Sequence, residues 1–152
     1  MGNNDSHKLV YATEDYCDLL FEWVNDEKVR LNSFNSERIK YEEHKKWFKS
    51  KIESDDTVIY IFKANNQDIG VIRLEKMDKN GYLINYSIAK DYRKKGYATT
   101  LLKLIKEKYK GQLLVGKVKK GNVGSIKAFI NAEFIIKKEY DDIYEFYSFN
   151  KE

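Results

Sequence analysis

The chain has 152 residues, enough to bury one core and too few for two comfortable domains, and its 42% hydrophobic and 14% aromatic content excludes a disordered chain. Its 28 Lys plus Arg nearly balance 24 Asp plus Glu, and the basic residues fall in short runs beside turns, "YRKK" and "KVKKGN", which argues against a nucleic-acid binder. No apolar run is long enough for a membrane span. The one cysteine, Cys17, excludes an internal disulfide and suits a reducing cytoplasm, and neither it nor His7 and His44 show metal-ligand spacing, so no metal site is expected.

Residues 1–7 read as a leader, followed by a single domain over 8–152, since no proline, linker or repeat marks a boundary. "HKLVYA" predicts a short strand. Thr13 then stands as an N-cap ahead of Glu14 and Asp15, and Tyr16, Leu19, Leu20 and Trp23 recur at helical spacing. The polar connection "EKVRLNSFNSERIK" leads to a second helix, "YEEHKKWFKSKI", with Tyr41, His44, Phe48 and Ile52 along one side. "TVIYIFKA" and "QDIGVIRLEK" predict a hairpin across "NN", and after the turn signal "MDKNG" the segment "YLINYSI" alternates as a third strand. A helix from Gly96 to about Tyr109, the strand "QLLVGKV", the shorter helix "NVGSIKAFINA" and the closing pair "FIIKKEY" and "IYEFYSF" complete the order β-α-α-β-β-β-α-β-α-β-β. That order predicts a mixed α/β layer fold.

One junction points to chemistry. In "YSIAKDYRKKGYATTLLKLIKEKY" a strand passes through lysines and a glycine into a helix. A helix start offers N–H groups without intrahelical acceptors and the positive end of the dipole, which together favour an anion. Gly96 lets a ligand approach the backbone, Lys94 and Lys95 add charge, and Thr99 adds a hydroxyl. A pyrophosphate suits such a loop, although neither of the two familiar glycine-rich nucleotide motifs is present.

Arg93-Lys94-Lys95-Gly96-Tyr97-Ala98 resembles the R/Q-x-x-G-x-G/A signature of the GNAT superfamily of N-acetyltransferases, and it follows the strand and opens the helix where that family has them. "KVKKGNVGSIKAFINAEF" is similar to the family's second cofactor segment, and the resemblance runs from about Lys8 to Phe149. It implies a mostly antiparallel central sheet with helices on both faces and a splayed strand pair that binds the cofactor, acetyl-CoA. It also implies that the pantetheine arm pairs near Ser87, Ile88 and Lys90, that the Ile88 N–H faces the thioester carbonyl, and that Asn122 and Ser125 attend the pantetheine and the sulfur. Lys119 and Lys120 would either reach the remaining phosphate or stand as solvated surface lysines.

The chain departs from that pattern in places. Phe129 stands where many relatives place a tyrosine as general acid, which leaves Ser125 as the substitute, and Glu133 stands in place of a glycine. The alternating strand carries no acid, so Glu75 and His44 are the base candidates, with a core role weighed against catalysis for His44. For the acceptor, the connection and second helix offer Arg30 and Arg38 to phosphate, Ser33 to hydrogen bonds, and Phe34 and Trp47, with His44 beside them, to stacking. As a block, "VR…SFNSERI…EEHKKWF" resembles nucleotide-sugar N-acetyltransferases, implying an amine on a UDP-linked amino sugar. The alternatives are a protein N-terminus, a polyamine, or a non-catalytic acyl-CoA-binding module. The reading leaves room for a homodimer and includes neither a nucleic-acid nor a membrane partner.

Overall fold

The computed structural model describes residues 6–78 and 80–149. Among these residues, seven strands and five α-helices follow in chain order: β1 (His7–Tyr11), α1 (Cys17–Val24), α2 (Glu27–Asn32), α3 (Tyr41–Ile52), β2 (Thr57–Ala64), β3 (Gln67–Lys76), β4 (Gly81–Ile88), α4 (Tyr97–Lys108), β5 (Leu113–Lys119), α5 (Val123–Asn131), β6 (Ile135–Glu139) and β7 (Ile143–Phe149). The strands hydrogen-bond in the order β1-β2-β3-β4-β5-β7-β6. β4 and β5 run parallel, as a helical crossover between them requires, whereas the β1–β2, β5–β7 and β6–β7 pairs are antiparallel. The expected mixed, mostly antiparallel α/β architecture is the one observed.

Three local expectations are corrected. β1 begins at His7, inside the expected leader, and the Ser6 carbonyl accepts the Asn65 N–H; residues 1–5 of that leader lie outside the described residues. Thr13 precedes a 3-10 turn with extended backbone, and its side chain caps nothing. The polar connection contains α2, whose Asp26 N-cap accepts from the Lys28 and Val29 N–H groups. Among the described residues the chain gathers into two compact units, one within Met1–Arg73 with Tyr86–Lys90 and one within Leu74–Asn85 with Asp91–Glu152.

In the first unit, α1 and α3 bury Leu20 and Phe48 with Ile59 and Ile61 of β2, and Val10, Trp23, Ile52 and Val71 close around them. The β2–β3 turn holds Asn65 and Asn66 at φ 54° and 66°, the doubly left-handed geometry of a two-residue hairpin that asparagine tolerates. Gly70 is glycine because an added Cβ would stand 2.6 Å from the Ser87 carbonyl oxygen and 3.0 Å from Ile88 Cδ1.

In the second unit, α4 buries Leu101, Leu102 and Ile105 and packs against α5. Phe129 of α5 stacks on Phe146 of β7 at 4.9 Å between ring centres and meets Phe134 edge-on at 4.9 Å. The same ring presses on Gly116, where a Cβ would fall 2.4 Å from Phe129 Cζ. Past the end of α5, Glu133 takes the left-handed conformation at φ 67°, its N–H bonds to the Ile130 carbonyl, and the Phe134 N–H bonds to the Phe129 carbonyl. This is a Schellman termination with its usual hydrophobic contact, Phe134 on Phe129. The left-handed backbone at this position is one that glycine adopts without strain. Lys106 Nζ donates to the Ala132 and Glu133 carbonyls, satisfying the same helix end.

Candidate functional site

The junction between β4 and α4 has the form an anion requires. A 3-10 turn over Lys90–Tyr92 leads into a loop in which Lys94 sits at φ 63° and Gly96, the N-cap of α4, at φ 83°. Left-handed residues two positions apart, alternating with Lys95, can turn N–H groups toward one side, the concavity that binds anions. No side chain caps the helix, and nothing lies within 4 Å of a Cβ placed on Gly96, so the approach to the first turn is open. Lys94, Lys95 and Gly96 are exposed, and Arg93, Tyr97, Ala98 and Thr99 are half-buried, so cations and backbone reach the surface together. Tyr97 meets Tyr92 edge-on at 6.2 Å, which braces the loop from behind. This cradle fits a pyrophosphate. Gly96 is the residue that makes it possible, since an L side chain at that φ is strained.

β4 supplies a second feature. The Ala89 N–H bonds to the Ile69 carbonyl and the Met77 N–H to the Gly81 carbonyl, each at 2.8 Å, and both bonds fit one antiparallel register in which Val71 faces Ser87 and Gly70 faces Ile88. Alternation along the strand then points the Ile88 N–H to the edge of β4 opposite β3. Along that edge the ladder to β5 covers Gly81–Ile84 with Leu113–Gly116, yet β4 continues to Ile88 and β5 to Lys119. Pairing thus stops before the strands do, as the splayed pair requires.

The other predicted residues divide sharply. Asn122 is the N-cap of α5, where its Oδ1 accepts the Ser125 N–H at 3.2 Å, so it orders the segment that carries Ser125. Lys120 is not a phosphate ligand in waiting: it bonds Glu139 at 2.6 Å and lies over the Tyr144 ring at 5.0 Å. Phe129 is 2% exposed and its ring edge is against Gly116, so it is a core residue and not a tyrosine position short of one hydroxyl.

Arg30, expected to pair with phosphate, is instead a clamp. Its Nε donates to the Val24 carbonyl at 2.8 Å, Nη1 to the Asn35 and Glu37 carbonyls at 2.8 and 2.9 Å, and Nη2 to Ser33 Oγ at 3.1 Å. Ser33 in turn donates to the Val29 carbonyl at 2.6 Å, so both residues hold the chain's own backbone. Asn25 completes the clamp by bonding the Ile39 carbonyl and N–H, each at 2.8 Å. Nothing local in sequence marks Asn25 and Ile39, 14 positions apart, as partners. Beside α2 runs an open groove of 710 Å³ whose lining includes Lys28, Leu31, Ser36 and Arg38.

His44, expected as a base or substrate residue or as a core histidine, sits in the core. It is 3% exposed, its Nε2 bonds the Cys17 carbonyl at 3.0 Å, and Phe48, Phe21 and Trp47 surround the ring. A carbonyl oxygen accepts only, so Nε2 carries the proton, and burial lowers the pKa. The imidazole is a neutral core group. Tyr41 donates to Asp18 at 2.8 Å, which holds its hydroxyl proton up to about 12. Burial and the adjacent Asp18 push the Cys17 thiol up, which leaves it a poor nucleophile. Phe34 is 58% exposed and Trp47 is 37% exposed. The Arg73 guanidinium, which the sequence reading passed over, lies 5.1 Å from the centre of the Trp47 ring. Glu75 is half-buried on the same face of β3 as Val71 and Arg73.

The comparisons agree with this geometry. The family model "Acetyltransferase (GNAT) domain" matches residues 9–135. The chain belongs to the GNAT acetyltransferase family. Its architecture is similar to spermidine N-acetyltransferase from Vibrio cholerae in complex with CoA and spermine, with a TM-score of 0.86, 14% identity and 97% of each chain covered. It is also similar to RimL, the ribosomal L7/L12 alpha-N-protein acetyltransferase in complex with coenzyme A, with a TM-score of 0.85, 14% identity, and 99% of this chain and 97% of that one covered. A third is AAC(6')-Ib in complex with ribostamycin and coenzyme A, with a TM-score of 0.82, 17% identity, and 95% and 94% covered. No curated protein sequence matches the chain. As a GNAT enzyme, this acetyltransferase uses acetyl-CoA as its donor and an amine as its acceptor. Among the described residues, no helix is long and apolar enough to cross a membrane.

Proposed function

We propose that this GNAT acetyltransferase acetylates a primary amine on a nucleotide-linked amino sugar, with Arg93 to Thr99 receiving the pyrophosphate of the donor. The observation that carries the donor side is the left-handed Gly96 at the open, uncapped start of α4, beside exposed Lys94 and Lys95. Acetyl-CoA supplies the activated acetyl group. At the end of β4, Ser87, Ile88 and Lys90 present backbone groups to the pantetheine, and the Ile88 N–H stabilises charge on the carbonyl oxygen. Asn122 holds the first turn of α5 so that Ser125 can donate a hydrogen bond to the departing sulfur. A thiolate of pKa about 8.5 leaves without full protonation, so a hydroxyl in place of a tyrosine acid suffices. Glu75 accepts the amine proton, directly or through a water.

On the acceptor side, Phe34 and Trp47 keep stacking surface for a base or a sugar, and Lys28 and Arg38 line the groove beside α2. Arg30 lines the same groove while its guanidinium, with Ser33, holds the loop beside it. A second reading, acetylation of a polyamine or a protein N-terminus, draws on the likeness to the spermidine enzyme and to RimL. The test is release of free thiol from acetyl-CoA against UDP-amino-sugars, polyamines and N-terminal peptides. Turnover confined to the UDP-amino-sugars is expected. Turnover confined to spermidine or to peptides would replace this reading with the second.

A further inference from the structure

The connection "KKGNVG" between β5 and α5 carries Asn122, and Ser125 follows it in the first turn of the helix. Packing does little to hold this loop. Gly121, Val123 and Gly124 are exposed, and nothing lies within 4 Å of a Cβ placed on either glycine. Within the segment, Asn122 Oδ1 accepts the Ser125 N–H at 3.2 Å, and the Asn122 N–H bonds the Lys119 carbonyl at 2.9 Å. Those bonds shape the turn, but they join neighbours in the chain and do not fix the turn against the rest of the unit.

Lys120, two residues before Asn122, makes the contacts that do. Its N–H bonds the Asp142 carbonyl at 2.9 Å, its Nζ donates to Glu139 at 2.6 Å, and the same ammonium lies 5.0 Å from the centre of the Tyr144 ring. Glu139 and Tyr144 stand opposite each other across β6 and β7, so the two side chains that receive the ammonium are neighbours held by the ladder. The Tyr140 N–H on the Ile143 carbonyl, at 2.8 Å, closes the hairpin turn beyond them. Ordering a long side chain costs entropy, and an isolated exposed ion pair returns little. Here a carboxylate and an aromatic face act on one ammonium, and 30% of the Lys120 side chain stays exposed, so the return is larger.

We infer that Lys120 is a positioning residue for acetyl transfer. Through Glu139 and Tyr144 it ties the β6–β7 hairpin to the loop of Asn122 and Ser125 and holds that loop in the form that receives the donor. It acts through the loop and not on the cofactor itself. The inference rests on the donor reading above, in which Asn122 and Ser125 serve the donor.

The test is calorimetric titration with CoA and with dephospho-CoA, which lacks the phosphate that the sequence reading offered to Lys120. Affinity and Tm are measured for the wild type, Lys120→Met, Glu139→Gln and Asn122→Ala. Lys120→Met keeps an unbranched stem and Glu139→Gln keeps the size of its side chain, so both fold. Each should weaken both ligands by about fivefold while the Tm moves little. Glu139→Gln supplies the decisive sign. Were Lys120 a phosphate ligand restrained by Glu139, releasing it would tighten CoA, and the loss in Lys120→Met would vanish with dephospho-CoA. Either result overturns the inference. Unchanged affinity in both variants overturns it too, and with a lowered Tm it marks a merely structural ion pair. Asn122→Ala separates the inference from the reading beneath it and should weaken both ligands at least as much. If Asn122→Ala leaves affinity unaltered, the donor reading falls at this loop and the role of Lys120 falls with it. If it weakens binding while the Lys120 and Glu139 variants do not, only the role of Lys120 is refuted.

Discussion

Two loops of this acetyltransferase look alike in sequence and behave oppositely in the fold. Both the segment 93–99 and the segment 33–40 are polar, charged and adjacent to a helix. At 93–99 the backbone turns left-handed at Lys94 and Gly96 and presents cations around an uncapped helix start, open to a ligand. At 33–40 most polar side chains are exposed, but the backbone is tied down, because Arg30, Ser33 and Asn25 bond backbone groups and hold the loop to α1 and α2. The same residue types are therefore left open to a ligand in one place and bound to the chain itself in the other. An arginine that already donates to three carbonyls and a hydroxyl has little left for a phosphate.

The comparison is most sharply tested at Gly96. Gly96→Asp places a side chain at φ 83° and a negative charge at the positive end of α4, and calorimetric titration should show acetyl-CoA affinity reduced by at least about a hundredfold. Unchanged affinity would sink the phosphate-loop assignment. Arg30→Ala addresses the other loop: removing a clamp of four hydrogen bonds should cost about 2–3 kcal/mol in chemical denaturation and affect all acceptors alike, because the arginine acts through the loop. Selective loss of UDP-sugar turnover at full stability would instead return Arg30 to the substrate.

A pH titration tests the inward-facing character of the same region. The folded pKa of His44 is lowered by burial below its ordinary 6.5, so the unfolded chain takes up the proton first and stability falls as pH drops below that value. Denaturation midpoints from pH 7.5 down to 5 should decline in the wild type and decline less in His44→Gln. Equal slopes would mean that His44 is not the buried neutral group described here.

The smallest effect concerns the other left-handed helix end. Glu133→Gly relieves an L residue held at φ 67°, and it should raise stability by about 1 kcal/mol without altering acetyl-CoA affinity. A fall in stability would show that contacts of the Glu133 side chain outweigh the strain of its backbone.

Much of this protein is legible before folding. Alternation along "YLINYSI", the "NN" turn, the spacing of Leu101 and Ile105 and the glycine between lysines at a helix mouth are local signals. Secondary structure and the backbone form of the loop at Gly96 are local events, made by residues a few positions apart, so the sequence by itself determined the element order apart from α2. The engagement of Arg30, the burial of His44, the fit of Phe129 on Gly116 and the stack of Arg73 on Trp47 depend on pairs separated by up to 27 positions, the span from Cys17 to His44. Only tertiary structure decides those pairs, because whether a polar side chain is available to a ligand depends on which distant backbone groups the fold brings within hydrogen-bond reach of it.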